Sequence, residues 1–263
     1  MLGVGIAASR VSGGFSPTKL FTGGVVGAWY DPTDIGTLFK DVAGTDPVTA
    51  DGDAVALMLD KSGNGKHMLQ ATSGSRPLYK IDLNGKPYLY ANDPDSWMSC
   101  ANFDLTTINS LSIFAGIQRD SIAAFSVLCE LSTAVGSNNG SFYITAPNSV
   151  GNNVGFATKG GAIVNVSKTT TDNPLKTTVV CLSDISTPHA EIRVGQLPPV
   201  TSSDTQGVGT YPTYGNHTLY LFRRAGTSFQ FSGRLYNMII RGASSTEAEI
   251  AATYNFVNSK VIL

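Results

Sequence analysis

The chain has 263 residues, 42% hydrophobic and only 14% charged, with 18 Lys and Arg against 19 Asp and Glu. Charged residues usually make up about a quarter of a domain, so Ser, Thr, Asn and the 28 glycines must cover much of this surface. The balanced charge leaves no basic stripe to neutralise phosphates, which excludes nucleic acid as a partner, and no apolar run reaches the ~18 residues of a membrane-spanning helix.

Glu130, Glu191, Glu247 and Glu249 are the only glutamates, whereas exposed helix positions draw heavily on Glu, Lys and Ala. Little helix is expected. Residues 1 to 22 are rich in Gly and Ser and too poor in apolar side chains to fold alone. They read as an extended N-terminal assembly arm, with Phe15, Leu20 and Phe21 as the residues that would engage a neighbouring subunit. The start, MLGVGIAASR, lacks the basic n-region of a secretory signal.

From Val25 onward, short apolar or alternating runs are separated by Gly, Asn, Asp, Ser and Pro clusters, the pattern of an all-β sandwich or barrel. The spacing predicts strands over 25–30, 54–59, 87–91, 96–100, 111–117, 125–131 and 140–145. It predicts further strands over 153–157, 162–167, 177–183, 189–195, 218–223 and 231–241. Uniform composition makes 23–263 one domain, a size ordinary for sandwiches. Between the second and third strands, DKSGNGKH (60–67) reads as a turn: Asp60 accepts from the following N–H groups, and Gly63, Asn64 and Gly65 supply left-handed backbone. Near the end, Ser244 to Glu247 reads as a capping box. Ile250, Tyr254, Val257 and Val261 then form one apolar stripe, so a helix over about 245–260 is expected to pack on the sandwich. Cys100, Cys129 and Cys181 lie in apolar runs without metal-ligand spacing and read as buried free thiols. Trp29 and Trp97 read as core.

Three segments carry a resemblance: 27–67 (GAWYDPTDIGTLFKDVAGTDPVTADGDAVALMLDKSGNGKH), 132–147 (STAVGSNNGSFYITAP) and 204–260, from DTQGVGTYPTYGNH to YNFVNSK. In this order they resemble the laminin G-like, or concanavalin A-like, jelly rolls encoded in structural gene clusters of tailed bacteriophages. The resemblance implies a concanavalin A-like jelly-roll β-sandwich with a C-terminal α-helix. It also implies a virion protein synthesised in the host bacterial cytoplasm, a homo-oligomer partnered by other virion proteins through the arm. A tail fibre or tip adhesion module contacting host-surface glycans is the leading placement; capsid decoration, or a free carbohydrate-binding or glycan-degrading module, is the alternative.

The residues do not offer an enzyme. A retaining glycosidase needs two carboxyls about 5 Å apart, which one strand supplies at i and i+2 or i+4. Glu130 and Glu191 each stand alone in their strands, and no G-x-S-x-G elbow ties a Ser to His67, His189 or His217. No catalytic residue and no cofactor are therefore assigned. Calcium is the one candidate ion, through Asp60 and backbone carbonyls, since it wants six to eight oxygens. For a sugar, which needs an aromatic plate and amide or carboxylate groups, the candidates are Tyr211, Tyr214, Asn216 and His217, with Asn138, Asn139 and Tyr143. The competing reading packs the tyrosines at a sandwich edge and makes Asn138, Asn139 and Gly140 a hairpin turn. Arg223 and Arg224 flank a glycine-containing turn and suit interface ion pairs.

Overall fold

Residues 110 to 119 alternate Leu111, Ile113, Ala115 and Ile117 with Ser112, Phe114 and Gly116, yet all ten are buried. A strand hidden on both faces needs an apolar layer on each side, and the computed structural model supplies two. It describes residues 14–91, 95–187, 189–202 and 211–262. In chain order the strands are β1 (Gly27–Tyr30), β2 (Leu38–Phe39), β3 (Leu57–Met58), β4 (Met68–Leu69), β5 (Leu78–Ile81), β6 (Pro87–Ala91), β7 (Met98–Asp104), β8 (Ser110–Arg119) and β9 (Val127–Leu131). They continue as β10 (Ser141–Thr145), β11 (Asn153–Lys159), β12 (Ile163–Thr169), β13 (Leu175–Asp184), β14 (His189–Val194), β15 (Val200–Thr201), β16 (Asn216–Leu221) and β17 (Gly233–Arg241), followed by helix α1 (Glu247–Val261).

The strands form two antiparallel sheets, one ordered β15-β14-β13-β8-β17-β6-β5 with β1 also on β17, the other β12-β11-β10-β9-β16-β7-β4-β3-β2. The fold is a jelly-roll β-sandwich with a C-terminal α-helix, as expected. Between the sheets lies the main core, including Tyr30, Ile113, Ile117, Cys129, Phe142, Phe156, Cys181, Leu219 and Met238. On the outer side of the first sheet, Trp29, Phe114, Val180 and Ile239 pack with Ile250 and Val257 of α1. Burying each such side chain contributes about 1.5–3 kcal/mol. The predicted strands recur within a few residues. The two-residue strands β2, β4 and β15 and the four-residue β5 were not expected, being too short to display a period of two.

Two polar contacts tie the sheets together at opposite ends of the β8–β13 pair. The Arg119 guanidinium, fully buried, donates to the Asn153 and Asp172 carbonyls and to Asn152 Oδ1 across 2.8–3.1 Å. At the other end the Tyr214 hydroxyl lies 2.6 Å from both Thr158 Oγ1 of the second sheet and Ser183 Oγ of the first.

The helix start lies two residues beyond the expected one. Thr246 is the N-cap: its Oγ1 accepts from Glu249 N, and Glu249 Oε2 accepts from Thr246 N. Glu247 is drawn instead to Arg193, whose two terminal nitrogens donate to it at 2.9 and 2.7 Å. Ile250, Thr253, Val257 and Val261 are the buried positions, while Tyr254 lies half-buried with its hydroxyl accepting from Gln196 Nε2.

The assembly role expected for Phe15, Leu20 and Phe21 needs correction. Pro17–Gly24 forms a 3-10 turn that tucks Leu20 and Phe21 into the α1 cluster, and the Phe15 ring meets Phe256 edge-on at 6.2 Å. These side chains cover Trp29 and the chain's own helix, so the folded domain begins before residue 23. The remainder of the expected arm, residues 1–13, lies outside the described residues.

Gly116 sets how closely α1 approaches β8, because a Cβ there would stand 2.5 Å from Val261 Cγ2 and 3.1 Å from Val257 Cγ1. Gly116→Val should destabilise by about 1–3 kcal/mol through overpacking, read as a lower urea midpoint at unchanged m-value. Acid should act on the same helix. The Arg193 guanidinium on Glu247 and the Arg241 guanidinium beside Glu249 hold both carboxyls below the usual range. Their stabilisation is complete above the ordinary glutamate value near ~4.3 and is lost as pH falls through the lower folded values. Tm measured from pH 5 down to pH 3 should therefore drop less steeply for Glu249→Gln than for the native chain.

Candidate functional site

The one α-helix among the described residues covers the first sheet, so the outer face of the second carries no helix. Register defines what that face presents. Asn165 pairs with Ala157, Ala157 with Tyr143, Tyr143 with Glu130, Glu130 with Tyr220, and Tyr220 with Ser99. Neighbouring strands lie ~4.8 Å apart, so Tyr143 and Tyr220 flank Glu130 across about 10 Å. The Tyr143 hydroxyl donates to Asn165 Oδ1 at 3.2 Å, and the Trp97 ring lies 6.1 Å from that of Tyr220. Trp97 is thus a half-buried residue of this face, not a core residue as expected, because the alternation of β7 turns Met98 and Cys100 inward. Trp29 is buried as expected, under α1.

At the centre of the row Glu130 is fully buried. Its Oε2 accepts from Arg224 Nε at 2.7 Å and its Oε1 from Val135 N at 2.6 Å. Burial pushes the carboxyl above its usual range, against the opposing pull of Arg224 and the Val135 N–H. Around the Arg224 guanidinium stand three rings, Phe229 at 4.8 Å, Phe125 at 5.7 Å and Tyr143 at 5.8 Å. Phe125 makes edge contacts with Phe229 and Tyr143. The connection carrying Arg224 is strained: Phe222, Ala225 and Phe229 have φ of 71°, 50° and 55°, positions where side chains other than Gly are costly. Gly226, at φ 68°, leaves room for Trp97, whose indole a Cβ would approach to 2.8 Å. Arg223 donates to Asp95 Oδ1 and to the Thr227 carbonyl. Both arginines expected at an interface therefore have partners within the chain.

Of the residues proposed for sugar contact, Tyr143 lies on this face. Asn139 and His217 meet at one end of the sandwich, His217 Nε2 standing 2.9 Å from the Asn139 carbonyl, and Asn216 and Tyr211 are exposed near them in sequence. Asn138 Nδ2 donates to the Ala134 carbonyl. Gly140 takes φ 66°, but the hairpin-turn reading of Asn138, Asn139 and Gly140 needs correction: they end the longer connection, residues 132–140, that joins β9 to its partner β10. Tyr214 must be withdrawn as a contact residue: it is 1% exposed, its hydroxyl is spent on the two sheets, and burial raises its pKa. Residues 207–210 of the loop 207–217 that carries these candidates lie outside the described residues. Sequence reasoning missed Glu130, Arg224, Tyr220, Phe125 and Phe229 as a group. The only available signal was alternation placing Glu130, Tyr143 and Tyr220 on the non-core side of their strands.

The candidate calcium ligand is occupied by donors. Asp60 Oδ1 accepts from Trp29 N and Ser62 N, and Oδ2 from Ser62 Oγ and Lys66 N, which is the turn expected of DKSGNGKH. Its neighbours in sequence are likewise engaged, Asp46 by Lys40, Asp51 by Lys80, and Asp53 by the Thr49 and Ala50 N–H groups. Among the described residues no cluster of three or more His, Cys, Asp or Glu could hold a metal ion. The three cysteines are buried and free, and burial pushes the Cys100 thiol up to about 11.

No family model matches the sequence, and no curated protein matches it. Solved structures do. An arabinofuranosidase complexed with arabinofuranosyl-α-1,2-xylobiose is similar at 12% identity and TM-score 0.62, covering 95% of this chain and 66% of its own. The binding domain of botulinum neurotoxin serotype G is similar at 12% identity and TM-score 0.54, covering 77% of this chain and 49% of its own. A sialidase module of Ruminococcus gnavus matches at 15% identity and TM-score 0.43, covering 56% of this chain and 83% of its own. The fold is what the arabinofuranosidase and the neurotoxin domain share with this chain. At these identities it is the sandwich that is common, not a site.

Removing one member of a buried ion pair leaves an uncompensated charge. Arg224→Met should therefore cost about 3 kcal/mol at pH 7, and the double change Glu130→Gln, Arg224→Met clearly less. Because Glu130 can take a proton, the cost of Arg224→Met should shrink as pH falls toward 4. Urea denaturation of the native chain, Glu130→Gln, Arg224→Met and the double variant at both pH values measures this.

Proposed function

We propose that the chain is a non-catalytic carbohydrate-binding module that receives glycans on the outer face of the second sheet. The observation that carries this reading is the register row itself. Tyr143, Tyr220 and Trp97 offer ring faces for the CH surfaces of sugars, while Asn165, Ser99 and Arg224 offer hydrogen-bonding groups for hydroxyls. The arabinofuranosidase of similar fold was captured with a saccharide, in keeping with a sandwich that handles sugars.

The strand glutamates support binding without hydrolysis. Glu130 lies on β9 of the second sheet and Glu191 on β14 of the first, with Glu191 engaged by Arg193 Nε at 2.5 Å. Two carboxyls on different sheets, one sealed from solvent, do not flank a glycosidic bond as the reaction demands.

The biological setting we propose is a bacteriophage virion, with the module on a tail fibre or tip touching host-surface glycans and the protein made in the host bacterial cytoplasm. The ordered resemblance over 27–67, 132–147 and 204–260 supports it. A module acting free of any particle is the second reading, and the saccharide-bound structure of similar fold favours that one.

A glycan array of bacterial envelope saccharides should return hits. Tyr143→Ala and Tyr220→Ala should each weaken the best of them about tenfold, in line with the loss of a stacked ring, while leaving Tm within a few degrees. Release of reducing ends by the native chain, abolished in Glu130→Gln or Glu191→Gln, would overturn the non-catalytic reading. Antibodies raised against the domain should label the tails of purified particles; labelling of soluble protein alone selects the second setting.

A further inference from the structure

We infer that Arg224 is the receptor for a carboxylate, so that the glycan taken by this face is acidic, a uronic or nonulosonic acid saccharide. The inference rests on the carbohydrate-binding reading and names the ligand class of the same site.

The geometry around one guanidinium carries it. Arg224 gives Nε to Glu130, and Glu130 is held in turn by Val135 N. Among the described residues, Nη1 and Nη2 of Arg224 make no hydrogen bond. Arg76 and Arg119 spend their terminal nitrogens on carbonyls and an amide, Arg193 on Glu247, and Arg223 on Asp95 and Thr227; Arg234, on the first sheet, instead lies with its guanidinium 4.8 Å from the Tyr88 ring. Arg224 thus keeps its outward fork of N–H groups while its stem is fixed by a buried anchor. Phe229, Phe125 and Tyr143 pack around the same group, restricting its alternative rotamers and excluding water from its flanks. A planar fork with two parallel donors matches a carboxylate in bidentate fashion, and fixing it beforehand removes the ordering cost a free arginine would meet on binding. The sugar ring attached to that carboxylate would reach toward Tyr220 and Trp97, within two strand spacings.

The test compares trigalacturonate and an α2,8-linked trimer of sialic acid with their methyl esters, titrated calorimetrically into the native chain. At least one acid should bind tenfold or more tightly than its ester, and which acid binds separates the two sources of the carboxylate. Arg224→Lys retains the charge and a donor for Glu130 but loses the fork, and should weaken the acid about tenfold with little change for the ester. Esters bound as tightly as acids, or an undiminished Arg224→Lys, would overturn the inference while leaving glycan binding intact. If neither form binds at millimolar concentration and the glycan array is also empty, both readings fall; an array with neutral hits alone overturns only the acidic ligand. Should Arg224→Lys lower Tm markedly, the comparison of acid with ester on the native chain still decides.

Discussion

Because β8 is buried on both faces, the first sheet has to satisfy two apolar layers at once, the inter-sheet core on one side and α1 with the 3-10 turn on the other. Close-packed interiors tolerate little mismatch, and the layers are fitted by size: Phe114 fills the helix side at one point, and Gly116 makes room for Val257 and Val261 at another. Among the described residues no helix covers the second sheet. The Arg224 connection and Phe125 lie over Glu130, while Tyr143, Tyr220, Trp97 and Ser99 stay only half-buried around it, so aromatic and amide groups gather there without being drawn into a core. The asymmetry between the sheets therefore decides which face can carry half-buried aromatic and amide groups, before any particular side chain does.

The polar interior follows the same division. Arg119 and Tyr214 are buried without any carboxylate partner; the terminal nitrogens of Arg119 and the Tyr214 hydroxyl are met by groups already fixed in sheets or turns, while Arg119 Nε has no partner among the described residues. They act as cross-braces, since an unmet buried donor costs far more than a met one contributes. Glu130 and Arg224 differ in kind. Theirs is a charged pair set under an open face, and one partner is left with donors to spare. A pair serving stability alone would be better replaced by packed apolar groups, which is a physical reason to regard this one as part of a receiving surface.

How much of this was legible in the sequence depended on range. Strands with five or more alternating residues could be read locally, as could the terminal helix and the Asp60 turn, because each follows from neighbours a few positions apart. The cap position is ambiguous by two residues in the sequence, because Ser244 to Glu247 satisfies the same pattern as Thr246 to Glu249. Only Arg193, on a distant strand, shows why Glu247 is engaged elsewhere. Tyr214 looked like a contact residue in a loop rich in Gly and Tyr, and its burial depends on Thr158 and Ser183 arriving from two different sheets. Leu20 and Phe21 looked free because their cover, α1, comes at the far end of the chain. The Glu130 site was invisible for the same reason: it is assembled by the register of β9, β10 and β16, which composition does not encode.

One pairing described above also governs how the molecule comes into being. β1 lies against β17 in an antiparallel register that sets Trp29 beside Ile239, so the earliest strand waits for the last. During synthesis the first sheet stays incomplete until nearly every element has left the ribosome. The apolar cluster of Trp29, Leu20 and Phe21 is not complete before Ile250 and Val257 of α1 emerge. Contacts of such long sequence separation make for slow acquisition of structure and a prolonged interval in which unpaired edges are exposed. The sparse charge that suits a hydrogen-bonding surface gives little repulsion during that interval, which makes chaperone supply and growth temperature the variables that govern recovery of this chain in folded form.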